Sequence, residues 1–301
     1  MHQKELQTTL FLKDFTTLDF AFLCPEKGIQ GESFWVSAEL TGHLDEQGFV
    51  MDFGKAKKTL KEVVDESLDH RCALAKNSNA LQNFSAKENS LSIDFVSIHY
   101  SCPKQAIALI ESDTINKNSI SRFLEEKIAE KFSSTLKIKI ILREEEAFTR
   151  EANFRYTHGL KFHDGNCQRL IHGHRNLIEV FVNKNKSGEH ERFLADLFAD
   201  IHFVQKENLE NRNELDLPLN QRQKENYKTA KISYTSPQGF FLAHIPASQI
   251  IILENEPSIE NITAFAWTEL QTRFSIAPES LEVHGYEGLH KGAEVRVGSN
   301  N

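Results

Sequence analysis

Apolar and polar residues alternate over two stretches near the start of the chain, and this alternation predicts two β-strands. The strands cover residues 10–23 and 33–42. The apolar positions then change to helical spacing between Lys57 and Ser67. Residues 75–90 are rich in Asn, Ser and Lys, which predicts a loop. The other elements predicted for the first half are a strand, a helix and a strand, over residues 106–110, 119–132 and 136–142.

The second half of the chain repeats this order of elements at a nearly constant distance. A constant shift over several landmarks indicates two copies of one module. We therefore predict two domains, a first module over residues 1–147 and a second module over residues 148–301. The landmarks recur at shifts of 142 to 144 residues, with Phe49–Phe53 answering to Phe193–Leu197, Pro103 to Pro246, Ile120 to Ile262 and Glu144 to Glu287.

The strand predicted around His172-Gly173-His174 carries two imidazoles on one face. Alternate side chains of a strand point to the same side, so both rings emerge together while Gly173 leaves the opposite face open. The preceding stretch also alternates and adds His158. Three neutral imidazoles with an open fourth position are typical of a catalytic zinc site. A lone histidine on an apolar strand is more often a core residue, but this combination favours a metal.

Two further candidates lie outside the histidine set. Cys167 precedes His172 by five residues, in a polar turn that favours a reactive thiol beside the metal, and the alternative is a small buried thiol. Asp69-His70 follows the first predicted helix. That pair is either a proton-transfer couple or a helix C-terminal histidine that compensates the helix dipole.

The two modules differ at these positions. By strand order, the first module offers Asp19, Gln30 and Glu32 where the second has its three histidines, and such oxygen ligands suit zinc poorly. Conversely, the positions assigned to Asp69-His70 fall in residues 211–214, where no Asp-His pair occurs. The polar segment from Glu207 to Tyr227 has no counterpart in the first module. Each module therefore holds half of what an active site would need.

Charge and composition narrow the class of protein. The net charge of -8 argues against a general nucleic-acid-binding protein, which normally has a basic face. No apolar run reaches membrane-spanning length, and the first twenty residues lack the apolar block of a signal peptide. The four cysteines show no regular disulfide spacing, so we expect a reducing, cytoplasmic location.

Taken together, these residues resemble the 6-pyruvoyl-tetrahydropterin synthase and 6-carboxytetrahydropterin synthase family. The resemblance implies an α+β fold of two tandem T-fold modules, each an antiparallel sheet with helices on one face. The second module carries the histidines, the cysteine and the late glutamate of the family pattern, whereas the first keeps the turn before the helix and the Leu-Asp-His motif. The matching stretches are His158, Cys167, His172–His174, Pro257–Asn261, Tyr286-Glu287, Gly48–Phe53 and Leu68–His70.

The family also implies a function, that of a zinc-dependent lyase acting on 7,8-dihydroneopterin triphosphate. The product would be of the 6-pyruvoyl or the 6-carboxy type, and the second type belongs to queuosine biosynthesis. Because the family builds its sites at module boundaries, we expect a homo-oligomer, either a trimer of two-module chains or a dimer. The alternative is a non-catalytic pterin-binding or structural relic of the duplicated family.

The resemblance assigns a role to each candidate residue. Zinc would be held by His158, His172 and His174. Cys167 would be the base, and His70, oriented by Asp69, would transfer protons. Glu287 would anchor the pterin, because one carboxylate accepts two parallel hydrogen bonds, and Glu260 would also contact substrate. Cations near the motifs that could hold the triphosphate are Lys161, Arg169, Arg175 and Lys291.

Overall fold

The computed structural model describes residues 7–215 and 228–298, and within these ranges the chain forms four α-helices and seventeen β-strands. The helices are α1 Phe53–Ser67, α2 Lys117–Ala129, α3 Gly188–Phe198 and α4 Ile259–Phe274. The strands of the first module are β1 Gln7–Cys24, β2 Gly28–His43, β3 Cys72–Ala75, β4 Leu81–Ala86, β5 Ser90–Phe95, β6 Ile98–Pro103, β7 Ile107–Ile110 and β8 Lys137–Arg143. Those of the second are β9 Asn153–His158, β10 His172–Val182, β11 Asn185–Lys186, β12 Ile201–Gln205, β13 Thr229–Ser236, β14 Gly239–Pro246, β15 Ile250–Leu253, β16 Leu281–Tyr286 and β17 Gly292–Arg296.

The first module is built around a five-stranded sheet in the order β7-β3-β1-β2-β8. Helices α1 and α2 pack on one face of this sheet and bury an apolar cluster with the inward side chains of β1, β2 and β8. The Asp52 side chain caps α1 by accepting a hydrogen bond from the Lys55 amide. Asn116 and Ser119 form a reciprocal capping box at the start of α2. The predicted sheet with helices on one face is thus confirmed, but the sheet is mixed rather than purely antiparallel, because β3 pairs in parallel with β1 and β7.

The second module repeats the arrangement with the strand order β15-β12-β9-β10-β16-β17, and β11 pairs with β10. Helices α3 and α4 cover one face of this sheet and enclose their own apolar cluster. In both modules the hairpin strands pair antiparallel, whereas β3 and β12 pair in parallel with β1 and β9. The residues of the candidate site lie on or next to the inner hairpin of each sheet.

A third sheet joins the two modules, in the order β13-β14-β6-β5-β4. Its central pair is β14 of the second module against β6 of the first, with His244 opposite His99. The buried face of this sheet closes a shared core to which both modules contribute, for example through Leu74, Ile107, Val204 and Ile250. The two modules therefore pack as parts of one structure rather than as separate units.

The inner hairpins of the two modules cross at a pair of glycines. A Cβ atom added to Gly31 would lie 2.2 Å from the Tyr156 carbonyl oxygen and 2.4 Å from the His174 amide nitrogen. One added to Gly173 would lie 2.8 Å from the Gly31 Cα atom. Only glycine allows backbones to approach this closely. The face that the His172-Gly173-His174 motif leaves open is thus occupied by the first module.

One predicted element is wrong. Residues 75–90 contain β4 rather than a continuous loop. This strand lies at the edge of its sheet, and five of its six residues are exposed. Neither face is buried, so the segment has no alternation of apolar and polar side chains. The polar segment from Glu207 to Tyr227 lies partly outside the described residues.

The helical and strand landmarks of the repeat are confirmed at three of four positions. Pro103 and Pro246 end equivalent strands, α2 and α4 begin 142 residues apart, and β8 and β16 precede Glu144 and Glu287. The match of Phe49–Phe53 to Phe193–Leu197 is wrong, because the first stretch precedes and opens α1 while the second lies inside α3. None of the four described helices is long and apolar enough to cross a membrane.

Candidate metal centre and catalytic site

The three predicted histidines of the second module converge on one point. His158 and His172 are paired across β9 and β10, and His174 lies two residues further along β10. All three side chains are fully buried. Their ligand atoms lie within 4.8 Å of one another. The register of the β9-β10 hairpin therefore brings the three histidines together, which the alternation within each strand could only suggest.

Hydrogen bonds fix which nitrogen is available in two of the three rings. His158 Nδ1 lies 2.6 Å from the Pro257 carbonyl oxygen, and His172 Nδ1 lies 3.0 Å from that of Arg169. A carbonyl only accepts, so these Nδ1 atoms carry the protons and the Nε2 atoms present lone pairs. The third ring, that of His174, has its Nδ1 at an ion-pair distance of 3.2 Å from the Asp19 carboxylate, without the geometry of a hydrogen bond. The three Nε2 atoms are buried and have no hydrogen-bond partner among the described residues.

The protonation state also suits a metal. Burial lowers the pKa of His158 to about 3, with His174 adding to the effect. Burial likewise lowers the pKa of His172 well below its usual range. These imidazoles are therefore neutral at neutral pH, as metal ligands must be. These two neutral imidazoles and the buried Nε2 atom of His174, all without hydrogen-bond partners at Nε2 among the described residues, fit a zinc ion of the catalytic type.

The Asp69-His70 pair of the first module lies against this cluster in the same chain. It follows α1, and His70 adopts a left-handed backbone conformation with φ 55°. The His70 ring centre lies 5.4 Å from that of His172 and 6.0 Å from that of His174. Asp69 Oδ2 is 2.5 Å from His70 Nδ1. The two unlike half-sites meet without a second chain.

The pair is held in place by both modules. The Asp19 amide donates to Asp69 Oδ1 at 3.0 Å, and the His70 amide donates to the Asp19 carbonyl at 2.7 Å. From the second module, Arg169 donates to the carbonyl oxygens of Asp69 and His70. Burial opposes protonation of His70, but Asp69 and then Cys167 raise its pKa well above the usual range. An imidazolium beside the thiol is the result.

Cys167 lies in the segment between β9 and β10, within a short 3-10 turn. The turn is fixed by the Leu160 amide, which donates to the Cys167 carbonyl at 2.9 Å. The side chain is buried and interacts electrostatically with His70. All four cysteines of the chain are free thiols. Cys167 is therefore a reduced thiol next to the Asp69-His70 pair.

A cavity of about 520 Å³ opens beside these groups and is formed by both modules. Glu260 and Glu287 line it together with Cys167, Asp69 and His70. Glu287 Oε1 lies 3.8 Å from His174 Nε2 and 3.9 Å from His158 Nε2, while its Oε2 pairs with Lys291 at 2.9 Å. Burial opposes ionisation, but His174, His158 and Lys291 lower the pKa of Glu287 to about 2. Because His158 is neutral at neutral pH, the cation that stabilises the carboxylate there is Lys291.

The predicted cations are only partly at the cavity. Lys291 lines it. Lys161 pairs with Glu207, and Arg175 pairs with Glu144, while Arg169 holds the Asp69-His70 backbone. The sequence reasoning missed other lining residues, which are Lys61, Asp65, His163, Asn166 and Ser258. Lys61, Asp65 and Asp69 follow one another at intervals of four residues, and residues at this spacing lie on one face of a helix. This spacing could have predicted that Lys61 and Asp65 lie on the same side as Asp69.

Two equivalences between the modules need correction. The His70 amide bonds to the Asp19 carbonyl, and the Asp200 amide bonds in the same way to the Arg155 carbonyl. Asp19 is therefore the counterpart of Arg155, three residues before His158, and is not a lost metal ligand. The Asp-His pair corresponds to Ala199-Asp200 rather than to residues 211–214. The equivalence of Gln30 and Glu32 with His172 and His174 holds, since Gly31 faces Gly173.

The fold and the site define a class of protein, a duplicated α+β module with a three-histidine metal-type centre at the boundary between the copies. The sequence profile described as 6-pyruvoyl tetrahydropterin synthase matches the chain twice, over residues 25–146 and 147–297. The chain belongs to this family, with two of its modules in tandem. A comparison with curated protein sequences gave no match.

Solved structures of the family are similar to about half of the chain. Plasmodium vivax 6-pyruvoyltetrahydropterin synthase is 18% identical and covers 47% of this chain and 100% of its own, with a TM-score of 0.36. The Plasmodium falciparum enzyme is 18% identical over 46% of this chain and 99% of its own, with a TM-score of 0.36. An uncharacterised Wolinella succinogenes protein is 15% identical over 47% and 96%, with a TM-score of 0.30.

Proposed function

We propose that the chain is a zinc-dependent pterin synthase or lyase acting on 7,8-dihydroneopterin triphosphate. The observation that carries the proposal is the convergence, in one chain, of two sets of groups. Three histidine Nε2 atoms without hydrogen-bond partners among the described residues lie against the Asp69-His70 pair, and that pair lines one cavity with the Cys167 thiol. A scaffold would have no need for these groups to lie together. Product chemistry of the pyruvoyl and carboxy types is compatible with this set.

Zinc held by His158, His172 and His174 would supply Lewis acidity toward oxygens of the substrate side chain. Cys167 lines the cavity next to His70, and we assign to it the removal of a proton from the neighbouring carbon. His70 lies next to the thiol, and Asp69 stabilises its protonated form, so this pair is placed to return or relay a proton.

The carboxylates of the cavity suit the ring system of a pterin. Glu287 is largely buried and ionised at neutral pH, because its pKa is lowered to about 2. A buried carboxylate accepts two parallel hydrogen bonds from an amidine-like edge. Glu260 lines the same cavity from the first turn of α4. Lys61 and Lys291 also line the cavity, in ion pairs with Asp65 and Glu287. We assign these two cations to the phosphate chain, which would compete with the carboxylates for them.

The decisive experiment replaces His70 by asparagine. The zinc-loaded protein is incubated with 7,8-dihydroneopterin triphosphate, and products are identified by mass. Loss of a positioned acid-base group typically costs about 10²–10⁴-fold in rate. We expect His70→Asn to reduce turnover by this factor while the zinc content stays that of the unmodified protein.

His99→Asn is the matched control. His99 is also paired with an aspartate, with its Nδ1 2.6 Å from Asp94 Oδ1, but it lies on β6 outside the cavity. Turnover should be unchanged in this variant. If the unmodified protein consumes no substrate, the proposal fails and the non-catalytic relic becomes the better description. If it turns over substrate and His70→Asn is equally active, the role assigned to His70 is wrong.

A further inference from the structure

The first module contributes a side chain to the metal centre of the second. His158 and His172 direct their Nδ1 atoms at backbone carbonyls of their own module. The Nδ1 atom of His174 instead faces Asp19 Oδ1 at 3.2 Å, across the module boundary. Asp19 is 4% exposed, and its carboxylate also accepts a hydrogen bond from the Ser33 hydroxyl. A buried carboxylate with its orientation fixed thus lies at ion-pair distance from the second nitrogen of a metal-type histidine, and among the described residues that nitrogen has no hydrogen-bond partner.

The backbone of the same residue holds the other half of the site. The Asp19 amide donates to the Asp69 carboxylate at 3.0 Å. The Asp19 carbonyl accepts from the His70 amide at 2.7 Å. One residue therefore contacts the histidine cluster through its side chain and the Asp69-His70 pair through its main chain. The distance between the two half-sites depends on its position.

The internal repeat supplies a second copy of this contact with different chemistry. Asp19 corresponds to Arg155, and His174 corresponds to Glu32. The counterpart of the Asp19–His174 contact is a salt bridge in which Arg155 Nη2 lies 2.6 Å from Glu32 Oε2. Both contacts cross the module boundary beside the paired glycines. The Arg155–Glu32 salt bridge does not include a histidine of the cluster. It therefore serves as a reference for the purely structural effect of a contact at this position.

We propose that Asp19 is a positioning residue for the metal centre, which it serves by holding His174 in the orientation and tautomer that present Nε2. Carboxylate groups that bond the second nitrogen of a ligating histidine fix its ring and raise its basicity. The inference rests on the metal site of the proposed function, but not on the reaction assigned to it.

The test measures the affinity of the intact chain for Zn²⁺ by competition with a chelating dye. Loss of such a partner typically weakens metal binding by about 10- to 100-fold, and we expect this loss in Asp19→Asn. Glu32→Gln breaks the equivalent salt bridge and should leave the affinity unchanged. The visible absorption of the Co²⁺-loaded protein should change in Asp19→Asn and remain constant in Glu32→Gln.

Thermal unfolding of the metal-free variants separates positioning from a general loss of stability. If Asp19→Asn and Glu32→Gln lower the zinc affinity equally, or if neither lowers it, the inference is wrong even when the unmodified protein is an active zinc enzyme. If the unmodified protein binds zinc but shows no turnover, the proposed function fails while the affinity series still decides the role of Asp19. Absence of zinc binding would overturn both.

Discussion

Replacing Gly31 by alanine should push the two modules apart at the point where their inner hairpins cross. The added Cβ would lie 2.2 Å from the Tyr156 carbonyl oxygen and 2.4 and 2.5 Å from the amide nitrogen and carbonyl oxygen of His174. All three are backbone atoms of paired strands, so no side chain can rotate away. Overpacking of this kind typically costs about 1–3 kcal/mol. We expect the upper part of that range, since relief requires movement of a whole strand.

Urea denaturation of the metal-free protein measures the change in the free energy of unfolding. The affinity for Zn²⁺ should fall as well, because the displaced strand carries His174. Gly188→Ala is the control, since a Cβ there meets only the flexible side chain of Arg192, at 3.3 Å, in the first turn of α3. A Gly31→Ala variant as stable as the unmodified protein would refute the close-contact argument.

Two further predictions concern metal and pH. Zinc at about 100 times its dissociation constant should stabilise the folded chain by about 2.7 kcal/mol, and His172→Ala should abolish the zinc-dependent shift in melting temperature. The hydrogen bond from Lys117, aided by Arg175 and opposed by burial, lowers the pKa of Glu144 below its usual 4.5. Its stabilising effect is therefore complete above about pH 4.5 and is lost as the pH falls toward the lowered value, so urea stability should decline less steeply with acid in Glu144→Gln.

Local patterns were sufficient for the elements and for the metal-type cluster. The alternation around His172 and His174 fixes the two rings on one face whatever the rest of the fold does. Tertiary pairing then had to add only His158 from the neighbouring strand. The helix that ends before Asp69-His70 was likewise visible, because its apolar positions are buried against one sheet.

Local sequence patterns could not predict the contacts between the modules. The shift between the copies is not constant through the hairpins, because residues 25–27 connect β1 to β2 whereas residues 159–171 connect β9 to β10. Counting along the chain therefore matched Asp19 to His158, and only the backbone hydrogen bonds identify Arg155 as its counterpart. The long second connection also contains the turn with Cys167, and the three-residue connection of the first module has no such turn.

The joining of the two unlike modules by one polypeptide has a consequence for dilution. In a site assembled from separate chains, the halves part when the concentration falls below their dissociation constant. Here each half stays at the high effective concentration that a covalent connection maintains. Specific activity per chain should thus be independent of protein concentration. Because each module supplies a different half of the centre, a substitution in one module is not compensated by the other.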